Sequence, residues 1–129
     1  MGAIDAMSAA WVVGVGGAIG SLTRHGVNLI LADAVGRQAP YATAVVNLLG
    51  SAAVGVLAGL IASGRVTMTP NLRTFVFVGL LGGFTTFSSF MLDTLALTHS
   101  GNHALAVSNV AGQVGVGLVA VYAGYFVTS

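Results

Sequence analysis

The chain has no cysteine and no glutamate, only two prolines, and just four basic and three acidic residues among its 129. Without cysteine there are no disulfides, thiolate metal sites or thiol nucleophiles. No P-loop, HExxH or GxSxG pattern occurs, which leaves ATP-driven transport and hydrolysis without support and argues against an enzyme. A net charge of +1 with no basic cluster gives no electrostatic footprint for nucleic acid. Charged residues make up 5% and hydrophobic ones 56%, whereas an ordinary soluble domain is roughly a quarter charged. The composition is that of an integral membrane protein.

The charges that do occur, Asp5, Arg24, Asp33, Arg37, Arg65, Arg73 and Asp93, leave long neutral intervals between them. A helix crosses a bilayer with about 20 mostly apolar residues. Four spans are expected, at about 7–32, 40–63, 74–98 and 104–127, forming one all-α transmembrane domain over residues 1–129. The connections are punctuated by Gly36 and Pro40, by Gly64 and Pro70, and by Gly101 and Asn102. Asp5 stands where a signal peptide would carry a basic region.

Many of the nineteen glycines fall four apart, as in Gly16 with Gly20, Gly55 with Gly59 and Gly79 with Gly83. This spacing lets helix backbones approach closely. Four such thin helices do not readily enclose both a polar path and its lipid-facing shell, which favours an oligomer. Arg65 and Arg73 fall on one side of the membrane, Arg37 and the helix-end Arg24 on the other. Since arginine imbalance sets orientation, this even distribution permits insertion both ways and hence an antiparallel homodimer; a single orientation fixed by other details is the alternative.

The segment Gly82-Gly83-Phe84-Thr85-Thr86-Phe87-Ser88-Ser89-Phe90 puts glycines and hydroxyls inside the third apolar stretch. Glycine lowers helix propensity by about 1 kcal/mol against alanine, and serine and threonine hydroxyls compete for backbone hydrogen bonds. A break near Gly82 to Thr86 is expected, with carbonyls released as hard oxygen ligands for a cation. Phe87 and Phe90, three apart, share a helix face, and their ring edges carry partial positive charge that suits an anion as well as ordinary packing.

Asn47 interrupts an apolar run in the second span, where an amide either donates to an anion or ties helices together. Ser108, Asn109 and Gln113 add polar groups to the fourth, only some of which can face inward. Asp93 reads as a coupling carboxylate or as a cap near a span end, and Arg24 as an anion-attracting group or an interfacial anchor. His25, His99 and His103 read as interfacial.

With Gly16-Gly17-Ala18-Ile19-Gly20 leading to Arg24, and Asn47-Leu48-Leu49-Gly50 before the Gly82–Phe90 motif, essentially the whole chain resembles the Fluc (CrcB-type) fluoride channel family. The resemblance implies a passive, selective channel that exports fluoride and protects the cell from its toxicity. It further implies a bacterial inner-membrane protein and an antiparallel dual-topology homodimer with two pores, surrounded by membrane lipid. By motif position, Phe87 and Phe90 would line the pore. Asn47 would donate to fluoride, with Ser88, Ser89 and Ser108 supplying hydroxyls, and Arg24 would stand late in the first helix near an aqueous vestibule. Gly82 and Thr85 would offer backbone carbonyls to a structural sodium ion at the dimer centre. Two departures stand out: Ala104 where an aromatic or amide commonly precedes the serine, and Ser89 where threonine is frequent.

Two other classes share the size of this chain. A small dual-topology multidrug antiporter depends on a membrane-embedded glutamate, which is lacking here. A holin-type assembly protein needs apolar spans but no ordered set of donors. Fluoride, small and tightly hydrated, needs hydrogen-bond donors to replace its water, as an amide and hydroxyls provide.

Overall fold

Apolar composition and capping together decide where the helices run. The computed structural model describes residues 2–35 and 40–129. Four stretches within them, Ala3–Val35, Tyr41–Ala62, Pro70–His99 and His103–Thr128, are helical, long and apolar enough to cross a membrane. Gly36 and Arg37, the turn and charge expected between the first two spans, lie outside the described residues.

The first helix, α1 (Ala3–Val35), starts before the expected residue 7. Asp5 sits in its first turn, where a carboxylate favours the positive helix end, and Asp5 Oδ2 accepts from Gly2 N–H at 3.3 Å. Next comes α2 (Tyr41–Ala62). The third stretch likewise begins ahead of expectation, because Thr69 caps α3 (Pro70–Arg73) by accepting from Leu72 N–H at 3.3 Å, with proline in the first turn. A π-helical segment (Thr74–Leu81) follows, then the short α4 (Gly82–Phe84). Thr85 and Thr86 are extended, with φ/ψ of −81/158° and −149/120°, and α5 (Phe87–His99) begins beyond them. The last helix, α6 (His103–Thr128), is capped by Asn102, whose Oδ1 accepts from Leu105 N–H at 3.3 Å. Gly64 and Gly101, at φ 75° and 81°, take the left-handed conformation that ends α2 and α5.

Packing falls into two groups. Helix α1 lies against the π-helical segment and α4, while α2 lies against α6, with α5 packed on α6; α1 and α2 join the two groups. Small-residue spacing drives both. Gly16 faces Gly79, and Gly83 faces the Gly17 backbone, so closely that an added Cβ would meet main chain. Gly55 and Gly59 do the same against Val121 and Tyr125 of α6. Most large apolar side chains point outward, among them Trp11, Ile30, Val119 and Phe126. In a bilayer this surface faces hydrocarbon or another protein chain.

Candidate functional site

The step from α4 to α5 is where the backbone changes its partners. In a continuous helix, Thr86 N–H would bond the Gly82 carbonyl; here it bonds Asn47 Oδ1 at 2.8 Å. The Gly83 carbonyl accepts instead from Arg24 Nε at 3.1 Å, with Ser21 Oγ at 3.5 Å. Ser89 N–H, which would bond the Thr85 carbonyl, bonds Thr86 Oγ1 at 3.2 Å and so caps α5. Side chains thus replace the lost bonds of Thr86, Gly83 and Ser89. Among the described residues, the carbonyls of Gly82 and Thr85 receive no such replacement.

Those two carbonyls are the pair expected to meet sodium. Oxygen dipoles without a proton donor are the chemistry a hard monovalent cation requires, so the residues present fit the ion. Gly82 is exposed and Thr85 half-buried, which leaves them accessible from the protein surface. Thr85 Oγ1 donates to the Leu81 carbonyl at 2.9 Å, anchoring its own side chain on the preceding turn.

Beside the step, a groove of about 350 Å³ is lined by Asn47, Gly50, Ser51, Thr85, Thr86, Phe87 and Phe90, together with Val54 and Val121. Phe87 and Phe90 meet edge to face, with centroids 5.9 Å apart and planes at 86°. Phe90 is only 5% exposed, whereas Phe87 is 73% exposed. Ser88 is exposed and Ser89 half-buried in the first turn of α5, and Ser88 Oγ lies 3.4 Å from Thr86 Oγ1. Asn47, Phe87, Phe90 and the motif hydroxyls therefore converge on one short stretch of backbone.

Asn47 is fully engaged by protein. Its Nδ2 donates to the Thr86 carbonyl at 3.0 Å and to Gln113 Oε1 at 2.8 Å, while Oδ1 accepts from Thr86 N–H. It ties helices together and lines the groove at once, so the two readings open in the sequence coexist.

Arg24 and Ser108 lie apart from the phenylalanine pair. Arg24, expected near the end of the first span, lies well inside α1, held at the level of Gly83. Ser108 is exposed and lines a separate groove with Tyr41, Ala44 and Leu48, apart from the phenylalanine pair. The polar residues of α6 that turn inward are Asn109 and Gln113, 5% and 8% exposed. Their four-residue spacing puts them on one helix face but does not say which way that face turns. Thr94, whose Oγ1 donates to the Phe90 carbonyl at 2.9 Å, was marked by no motif.

Relatives with established names match along nearly the whole length. A family model described as CrcB-like protein, Camphor Resistance (CrcB), matches residues 11–125. The chain is 45% identical over 115 residues to a fluoride-specific ion channel FluC of Paramagnetospirillum magneticum, covering 88% of this chain and 90% of that one. It is 42% identical over 113 residues to the fluoride-specific ion channel FluC 2 of Nitrobacter hamburgensis, covering 88% and 90%. A FluC of Opitutus terrae is 42% identical over 120 residues, covering 92% and 91%. With a step in the third span held by Asn47 and Arg24, and with this similarity over most of its length, the chain belongs to the CrcB-like family.

Proposed function

We propose that this protein is a passive fluoride channel that lets fluoride leave the cell and so limits its toxicity. The observation that carries the reading is the convergence of the Phe87–Phe90 pair, Asn47, Thr85 and Thr86 on one groove, in a chain whose relatives are fluoride-specific channels. A dehydrated fluoride needs short, strong donors; Asn47 Nδ2, which here donates to Thr86 and Gln113, would exchange one of these bonds for the ion, and aromatic ring edges add a weaker positive field. Strong donors in a path narrowed by a second subunit would favour a small anion over chloride.

The groove is open on the side of Phe87, and an ion path exposed to hydrocarbon would be impassable. A second copy of the chain covering this side closes the path, which favours a homodimer. The antiparallel arrangement rests on the even distribution of arginines, and it makes each pore a product of both subunits. In that dimer the Gly82 and Thr85 carbonyls of both subunits would hold a resident sodium ion, which adds positive potential near the anion path. The broken third helix, read as functional, is the device that supplies these carbonyls. The bacterial inner membrane is the location this role implies.

The test is fluoride release from liposomes carrying the purified protein, followed with a fluoride electrode, with valinomycin clamping potassium and no proton gradient. Rapid release with chloride retained is the expected result. Release only under an imposed proton gradient would replace the channel with a coupled transporter and direct attention to Asp93. Absence of release from folded dimer would discard the reading.

A further inference from the structure

Four side chains join the two ends of the Phe87–Phe90 turn. From Thr86 the path runs to Asn47, whose Nδ2 donates to Gln113 Oε1 at 2.8 Å; Gln113 Nε2 donates to Asn109 Oδ1 at 2.8 Å. Asn109 Nδ2 then donates to Thr94 Oγ1 at 3.1 Å, and Thr94 Oγ1 to the Phe90 carbonyl at 2.9 Å. The path therefore crosses from α2 through α6 to α5.

Its polarity is dictated by its ends. Thr86 N–H can only donate, so the Asn47 atom facing it must be the oxygen. The Phe90 carbonyl can only accept, so Thr94 must donate to it and take the Asn109 N–H in turn. Between these ends each amide has one orientation that satisfies its neighbours. Asn109 and Gln113 are buried, and turning either amide would set donor against donor and acceptor against acceptor where water does not compensate.

We propose that Gln113 is a positioning residue for the Asn47 amide. It acts through Asn47 by holding one Nδ2–H in line with its Oε1, which keeps Oδ1 on Thr86 N–H and the Nδ2 group at the groove wall beside the phenylalanine pair. Asn109 and Thr94 in turn hold Gln113. This deepens the fluoride-channel reading and rests on it, because what Gln113 orients is the amide that lines the groove the anion would use.

A double-mutant cycle on fluoride efflux tests it, using Gln113→Met, which keeps length and removes both polar atoms, and Asn47→Ser. Dimer content is checked by gel filtration, and Gln113→Leu serves as a second variant if the first assembles poorly. Gln113→Met should slow efflux about tenfold in the native background, the scale of one lost hydrogen bond, and less than about twofold in the Asn47→Ser background. Full efflux in Gln113→Met, or equal losses in both backgrounds, would overturn the proposal. Side-chain amide resonances of ¹⁵N-labelled protein provide a reading independent of transport. The Asn47 NH₂ protons should shift in Gln113→Met, and unchanged resonances would also overturn it. If native protein releases no fluoride, the channel reading fails while the resonances still decide the Gln113–Asn47 link. If Asn47→Ser alone falls to the leak rate, the resonances decide as well.

Discussion

Asn47 and Thr86 exchange two hydrogen bonds, side-chain amide against backbone: Nδ2 to the Thr86 carbonyl at 3.0 Å, and Thr86 N–H to Oδ1 at 2.8 Å. A peptide group stepping out of a helix has found in one asparagine both of the partners it needs. Asn47→Ala removes both and leaves the half-buried Thr86 N–H and carbonyl without a protein partner, a loss of about 1 kcal/mol for each bond. Thermal unfolding in detergent should show a clearly lowered midpoint, and fluoride efflux should fall with it. A midpoint equal to native would mean that the exchange does not hold the step.

The two phenylalanines differ sharply in exposure and should separate structure from transport. Phe87→Ile, at 73% exposure, should change subunit stability by less than about 0.5 kcal/mol yet slow fluoride efflux strongly. Phe90→Ile, at 5% exposure, should lower both, with a stability loss of about 1–3 kcal/mol from imperfect repacking. Native efflux in both variants would remove the aromatic pair from the path.

Helix contact is predicted to be sensitive at one glycine and indifferent at another on the same helix. A Cβ at Gly20 would collide with the Leu80 carbonyl, whereas one at Gly14 meets nothing within 4 Å. Gly20→Ala should cost about 1–3 kcal/mol or prevent assembly, while Gly14→Ala should behave as native by gel filtration and thermal unfolding.

Arg24 gives a charge-assisted bond to the Gly83 carbonyl. Arg24→Ala should destabilise by about 1.5–3 kcal/mol, the range for hydrogen bonds to charged groups. Arg24→Gln, which keeps a donor, should recover part of the loss in the same unfolding measurement.

Cation exchange tests the Gly82 and Thr85 carbonyls. Protein purified in potassium or N-methylglucamine without sodium should unfold at a lower temperature and regain the native midpoint as sodium is returned, since a ligand bound only to the folded state stabilises it by mass action. No dependence on sodium would remove the ion from the assignment.

Much of this was legible because membrane helices are written in long neutral runs, and because Gly82 to Ser89 places helix-weakening residues side by side. The glycine pairs were legible as well, since spacing by four states a face, and Gly16 with Gly79 meets as such spacing allows. Three features were not. The π-helical segment Thr74–Leu81 is uniformly apolar apart from its first residue, with no residue type that marks a wider winding. The partner of Arg24 is a backbone carbonyl, which carries no residue signature. The choice of Asn109 and Gln113 over Ser108 as inward residues depends on the rotation of α6 against α2, a property of packing and not of local pattern.

The two helical groups, α1 with the front half of the third span and α2 with α6 and α5, touch where α1 meets α2, and one of the chain's three passages between them runs through Thr85 and Thr86, which Asn47 grips from the second group. Sliding one group past the other would have to stretch or twist this dipeptide, because glycine contacts on each side leave little slack. A change in the relative height of the two groups in the bilayer would therefore bear on the spacing of the Gly82 and Thr85 carbonyls, which lie at this passage.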